Sequence, residues 1–149
     1  MKNIQQWLDE YAVSHQHETN VMIHWICVPA IFWSITGFLF LITLPLLGNL
    51  AVPVLIALVG YYFFLSRTLW IGMLLFGLTC LWASLQLYIY IRELSVWVYL
   101  AVFLIAWIFQ FYGHHLEGKR PSFLKDIQFL LVGPAWLMAK IYKKLHLPI

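Results

Sequence analysis

Long apolar runs, separated only by short polar turns, restrict what this chain can fold into more than any other feature. The first run covers residues 21–43 with almost no interruption. At a rise of about 1.5 Å per residue, a helix of that length crosses a hydrocarbon core about 30 Å thick. Hydrophobic residues make up 63% of the 149 residues and charged residues 10%, whereas a soluble domain carries roughly 25% charged residues. We therefore expect a single membrane domain over residues 1–149.

The predicted fold class is an all-α integral membrane protein with about four transmembrane helices. Residues 2–14 show the apolar spacing of an amphipathic helix, which would lie in the membrane interface or pack as an ordinary helix. Residues 127–139 are apolar but short and broken by Gly133 and Pro134, so we expect a re-entrant or interfacial helix there. The four predicted spans cover residues 21–43, 51–65, about 69–91 and about 96–112.

An even number of spans places the start of the first span and the end of the fourth on the same membrane face. Eight of the nine lysines and arginines would then lie on that face, against Arg92 alone opposite. The positive-inside rule makes it the cytoplasmic face, in a bacterial inner membrane or the endoplasmic reticulum. If residues 127–139 did span, the division would be five against four and the orientation less strongly determined.

Three of the six histidines, His15, His17 and His24, surround Asn20 where the polar N-terminus becomes apolar. Asn20 could cap the first span. His24 lies about one turn inside that span, and an imidazole is costly there unless it has a partner. His15 could join a site with His24 if the chain bends before Asn20.

A second polar cluster follows the fourth span, where Gly113 and Gly118 allow a turn. It offers imidazoles from His114 and His115 and a carboxylate from Glu117. Imidazoles with a carboxylate and open positions suit non-haem iron(II), and zinc would accept the same groups. Taken singly, His17, His115 and His146 are better explained as interfacial residues, with one end of each side chain in contact with water. Because the topology brings both clusters to one face, we expect them to form a metal site.

The basic pair Lys119 and Arg120 is first explained as a topology determinant, although it could also hold a substrate carboxylate. Nucleic-acid binding is disfavoured, since the basic residues lie at the ends of spans rather than in a groove with stacking aromatic rings. Cys27 and Cys80 fall within apolar runs, where a free thiol usually serves packing.

The first cluster resembles a signature of a known family. The pattern Tyr11-x3-His15-x4-Asn20-x3-His24-x4-Pro29 is similar to the N-terminal signature of small integral-membrane 2-hydroxy fatty acid dioxygenases related to the yeast enzyme of phytosphingosine breakdown.

A second stretch is similar to a later signature of that family. It consists of Trp107-x2-Gln110-x2-Gly113-His114, followed by Glu117 and Pro121. The resemblance touches both ends of the chain, while the middle spans match only in hydrophobic character. The spacing of the second stretch leaves open whether His114 or His115 is the ligand, and whether Glu117 ligates at all.

Carried over by position, the resemblance implies iron(II) held by His15, His24 and His114. It implies that Asn20 and Gln110 orient the ligands or the substrate, with a catalytic part for Glu117 also open. The implied reaction removes one carbon from a 2-hydroxy fatty acid with O2 and releases CO2. The expected partners are therefore this lipid, O2 and the surrounding membrane lipids.

Two other functions compete with this one. A di-iron lipid hydroxylase or desaturase would also be a membrane metalloenzyme. A chain that resembles those families would have about eight histidines, whereas this chain has six. A small scaffold or transporter with structural histidines would bind no metal and tolerate single histidine replacements.

Overall fold

The structure, a computed structural model, describes residues 3–46, 48–120 and 128–149. These residues form six α-helices, a short β-hairpin and one turn of 3-10 helix. The helices are α1 (Ile4–Ala12), α2 (Glu18–Leu41), α3 (Ala51–Leu65), α4 (Leu69–Ile91), α5 (Ser95–Glu117) and α6 (Phe129–Lys144). Strands β1 (Thr43–Leu44) and β2 (Gly48–Asn49) pair antiparallel between α2 and α3, and the 3-10 turn Arg92–Leu94 joins α4 to α5. The predicted all-α class is confirmed for these residues.

Two helical segments of the described chain are long and apolar enough to cross a membrane. One is Glu18–Leu41, and the other is Leu69–Glu117, which contains α4 and α5. Arg92 divides the second segment, since its φ of 52° lies in the left-handed region and ends α4. Helix α3 is apolar but has only 15 residues. The count of four spans therefore stays a prediction.

Helices α2 and α5 form the centre of the fold and run antiparallel. Near one end of the pair, His24 lies beside His114, with ring centroids 5.0 Å apart. Near the other end, Gly37 faces the ring of Tyr99 so closely that a Cβ on Gly37 would lie 2.3 Å from a ring carbon. A glycine is required there, because any side chain would push the two helices apart.

Helix α1 packs on α6 through the apolar face that the sequence predicted. Trp7 meets Phe129 edge-on at 5.3 Å between ring centroids, and Tyr11 lies 5.4 Å from the ring of Trp136. Of the two interpretations of this helix, packing against a neighbour describes this face, since Trp7, Leu8 and Tyr11 are all buried.

Helix α6 continues through the Gly133-Pro134 break. A proline inside a helix removes one backbone donor and crowds the preceding turn. The carbonyl that loses its donor is that of Leu130, and the hydroxyl of Tyr62 on α3 donates to the neighbouring carbonyl of Leu131 at 2.6 Å. Tyr62 is 1% exposed, so this hydrogen bond is shielded from solvent.

Two local predictions about helix ends are wrong. Asn20 does not cap α2, because the helix begins at Glu18 and Asn20 lies inside it. Gly113 does not form a turn either, since α5 continues to Glu117 and the turn comes at Gly118, where φ is 68°. Both helices extend further into the polar clusters than the apolar pattern indicated.

Candidate metal centre

His15 lies just beyond α1, at the beginning of the loop that leads into α2. Its ring stacks on the ring of Tyr11, with centroids 3.9 Å apart and planes 12° apart. Its Nδ1 donates to the Tyr11 carbonyl oxygen at 2.6 Å. The four-residue spacing of this pair matches one helical turn, which explains why α1 can hold the imidazole in place.

His24 lies in the second turn of α2 and is 1% exposed. Its Nδ1 donates to the carbonyl oxygen of Asn20, four residues earlier, at 2.8 Å. A carbonyl only accepts hydrogen bonds, so this contact places the proton on Nδ1, as in His15. Both imidazoles therefore have Nε2 free of hydrogen when they are neutral.

The free nitrogens of these two histidines face each other, with Nε2 of His15 2.9 Å from Nε2 of His24. Two lone pairs at that distance repel unless a cation lies between them. A proton is a poor candidate at neutral pH, because burial, followed by the nearby His24, lowers the pKa of His15 to about 3. A metal ion that both nitrogens bind would remove the repulsion.

His114 on α5 supplies a third imidazole to the same place. Its ring centroid lies 4.9 Å from that of His15 and 5.0 Å from that of His24. Its Nδ1 is buried and has no hydrogen-bond partner among the described residues. An orphaned buried nitrogen of this kind is costly unless something binds it.

The three histidines could together hold a metal ion. One ligand nitrogen from each lies within 4.8 Å of the other two, and all three side chains are buried. Ligand nitrogens bound at about 2.0–2.1 Å at right angles to one another stand about 3 Å apart, close to the His15–His24 separation. Because a metal ligand must be a neutral imidazole, the low pKa of His15 favours binding at neutral pH.

Glu117 ties the loop that carries His15 to the end of α5. Its carboxylate accepts hydrogen bonds from the backbone N–H of Gln16 at 3.0 Å and of His17 at 2.8 Å. It also accepts from Nδ2 of Asn20 at 3.1 Å. The carboxylate thus accepts from the loop before α2 and from the first turn of α2, and it lies outside the histidine triad.

Asn20 is fully buried and connects three parts of the centre. Nδ2 donates to the Ser14 carbonyl at 3.2 Å as well as to Glu117, and the backbone carbonyl of Asn20 accepts a hydrogen bond from Nδ1 of His24. Its Oδ1 faces Gly113 on α5, where a Cβ would lie only 2.4 Å away. Gly113 therefore allows α5 to approach α2 closely enough for His114 to join the triad.

The other candidate residues lie outside the triad. His17 and His115 are exposed, which leaves His114 as the histidine of its pair that meets the others. Lys119 donates through Nζ to the Val13 carbonyl, and Arg120 is exposed. Neither basic residue lines the cavity described next.

A cavity of about 360 Å³ opens from the triad and is almost wholly apolar. His24, His114 and Gln110 line its polar end, together with Tyr11. Gln110 lies one helical turn before His114 and is 6% exposed. Sequence reasoning assigned no site role to Tyr11, although its place four residues before His15 was the signal for the stacking contact.

Comparison with known proteins shows the family of the chain. The family model described as "2-hydroxy-palmitic acid dioxygenase Mpo1-like" matches residues 1–145. The chain belongs to this Mpo1-like family. It is 30% identical over 145 residues to the 2-hydroxy-palmitic acid dioxygenase MPO1 of Saccharomyces cerevisiae, across 96% of this chain and 82% of that relative. No solved structure matches the chain. The Mpo1-like assignment confirms the family resemblance that the two sequence signatures indicated.

Proposed function

We propose that this chain is an iron(II)-dependent dioxygenase that shortens 2-hydroxy fatty acids by one carbon. The related yeast protein is named for dioxygenation of 2-hydroxy-palmitic acid. The observation that carries the proposal is the convergence of His15, His24 and His114 at the polar end of an apolar cavity. These three imidazoles would hold the iron, which would supply O2 activation and a template for the substrate hydroxyl and carboxylate.

An anionic substrate suits this ligand set. Three neutral imidazoles bring no negative charge, and the nearest carboxylate, that of Glu117, already accepts three hydrogen bonds from the protein. Burying a divalent cation without compensating charge is unfavourable. The carboxylate of a 2-hydroxy acid would supply that compensation, and its hydroxyl could bind beside it.

The reaction balances without another reductant. A 2-hydroxy acid and O2 yield the acid with one carbon fewer, CO2 and water, so the substrate provides all four electrons that O2 accepts. The bond between the carboxyl carbon and the hydroxyl-bearing carbon breaks, and the latter becomes the new carboxyl group. The chain therefore needs to bind and orient the lipid, not to carry a second redox cofactor.

Gln110 and Tyr11 are the side chains best placed to orient the substrate head. Both line the polar end of the cavity, and the amide of Gln110 can donate to a carboxylate or hydroxyl. Asn20 and Glu117 would act as positioning residues, since their hydrogen bonds hold the His15 loop and α2 together. A part for Lys119 or Arg120 at the substrate carboxylate stays a prediction, as does a cytoplasmic orientation of the site.

The test compares His114→Ala with His115→Ala, neighbouring substitutions that remove the same side chain. The proteins are purified in detergent without oxygen, and bound iron is measured before O2 and 2-hydroxypalmitic acid are added. We expect about one iron per chain in the wild type and in His115→Ala, with O2 consumed and CO2 released. His114→Ala should lose both iron and turnover.

Other outcomes would overturn parts of the proposal. Zinc in place of iron, even after loading with iron(II), would indicate a different chemistry for the same ligands. Full activity in His114→Ala or His24→Ala would remove the assigned ligands. A wild type that binds no metal and consumes no O2 would favour the scaffold or transporter interpretation.

A further inference from the structure

The cavity that begins at the triad has its polar groups at one end only. His24, His114, Gln110 and Tyr11 line that end. The remaining lining side chains are apolar apart from the indole N–H of Trp107 and the hydroxyl of Thr36, which donates to the Phe32 carbonyl at 2.9 Å. The cavity thus matches a ligand with one polar end and one long apolar part.

The lining residues of α2 give the cavity a direction and a length. They lie on one stripe of the helix and recur every three or four residues, with two adjacent pairs at residues 31–32 and 35–36, from His24 near its beginning to Leu39 near its end. At about 1.5 Å per residue, this stripe extends about 22 Å away from the triad. Helix α5 follows the first part of the same path through Trp107 and Phe103.

Helix α3 forms a side wall that begins at the far end with Ala51 and runs back along the cavity to Leu58. The β-hairpin leads from the end of α2 directly into α3, whose residues Ala51, Val54 and Leu55 line the cavity there. Ala51 is 2% exposed, and Leu55 packs against α4 where a Cβ on Gly77 would lie 2.3 Å from its Cδ1. At Ala51 and Leu55 this wall is therefore packed and has little room to yield, and Val54 lies on the same helix between them.

We propose that this cavity is a channel for the single acyl chain of the substrate, and that Val54 limits the chain length the enzyme accepts. The inference rests on the proposed function for the identity of the polar head, which His24 and His114 would face. A volume of about 360 Å³ lies near the lower limit of small-molecule sites, roughly 300–1,000 Å³. This volume favours one acyl chain over the two of a membrane phospholipid.

The channel predicts how affinity depends on chain length. Each methylene transferred from water into an apolar site strengthens binding by roughly fourfold. The gain should continue with each added carbon until the chain end reaches Val54, and then stop. A chain that left the protein and entered the bilayer would show no such limit set by α3.

The experiment uses Val54→Phe and the matched control Val52→Phe. The two valines lie on the same helix and are 39% and 37% exposed, but only Val54 lines the cavity. Binding of 2-hydroxydecanoic, 2-hydroxypalmitic and 2-hydroxystearic acid to the iron-loaded protein is measured without oxygen, by displacement of radiolabelled 2-hydroxypalmitic acid. Turnover is then measured with O2.

We expect Val54→Phe to weaken binding of 2-hydroxypalmitic acid at least tenfold and to leave 2-hydroxydecanoic acid within about twofold, because roughly two methylenes lose their place. Val52→Phe should leave all three affinities unchanged. Val54→Ala, which enlarges the same end and does not risk overpacking, should strengthen binding of the longest acid relative to the wild type.

Two failures can be told apart. If the wild type turns over 2-hydroxy acids but the Val54 and Val52 variants share one chain-length profile, the channel is refuted and the proposed function stands. If the anaerobic profiles differ as expected but O2 is not consumed, the channel stands and the proposed reaction is wrong.

Discussion

Replacement of Gly113 by alanine should disable the centre without touching any histidine. The added Cβ would lie 2.4 Å from Oδ1 of Asn20 and 3.3 Å from Cδ1 of Ile23. An ordinary contact requires about 1 Å more space than the first of these distances. Asn20 cannot turn aside freely, because it is fully buried and its Nδ2 is held by Ser14 and Glu117.

Two effects on stability oppose each other in this variant. Overpacking a buried contact costs about 1–3 kcal/mol, whereas alanine is favoured over glycine inside a helix by about 1 kcal/mol. We expect a net loss of about 0–2 kcal/mol, small enough for the protein to fold. The geometry suffers more, since a displacement of about 1 Å at an active centre can reduce turnover about 100-fold.

The assay combines thermal unfolding in detergent, anaerobic iron content and turnover of 2-hydroxypalmitic acid. Gly60→Ala is the matched control, because Gly60 lies in α3 and a Cβ there would meet nothing within 4 Å. It should raise stability by about 1 kcal/mol and leave iron and turnover unchanged. Wild-type iron content and turnover in Gly113→Ala would refute the argument that close approach of α5 to α2 assembles the triad.

Two further predictions concern the polar groups of the centre. Glu117→Gln replaces an acceptor of two backbone N–H groups and the Asn20 amide, and should lower the free energy of unfolding by about 1–3 kcal/mol with a weaker hold on iron. The control is Glu93→Gln, which alters one exposed contact with the Tyr88 hydroxyl and should change the free energy of unfolding by less than about 0.5 kcal/mol. Equal losses of stability in the two variants would contradict the positioning role of Glu117. For pH, burial and then His24 lower the pKa of His15 from 6.5 to about 3, so the folded metal-free protein keeps this imidazole neutral where the unfolded chain protonates it. The contribution of His15 to the free energy of unfolding is complete above pH 6.5 and is lost as pH falls towards 3. The melting temperature of metal-free protein should therefore decline over that interval, and less steeply in His15→Gln. Identical profiles in the wild type and the variant would exclude His15 as the cause.

Much of the candidate site could be predicted from local features. His24 in an apolar run signalled a partnered imidazole because an unpaired polar group there is costly. The antiparallel packing of α2 and α5 then brought the two polar clusters together at one end of the helix pair. The choice between His114 and His115 could not be made locally, since the helical phase at the end of α5 depends on where Gly113 meets Asn20.

The roles of Glu117 and α6 also depended on contacts that are remote in sequence. Glu117 accepts from the N–H groups of residues 16 and 17, about a hundred residues earlier. The Gly133-Pro134 break looked like an interruption, yet α6 continues through it where Tyr62 supplies a hydrogen bond from α3. Local pattern carries no information about partners at such separation.

The sequence by itself determined an all-helical, strongly apolar chain with its chemistry confined to two polar clusters, because helical periodicity and the cost of buried polar groups are properties of each segment alone. Only the tertiary structure decided which nitrogens face one another and where the apolar cavity begins and ends. Those outcomes depend on small differences in the spacing between helices. That spacing is set by close packing of side chains from segments far apart in the chain, as Gly113 against Asn20 illustrates.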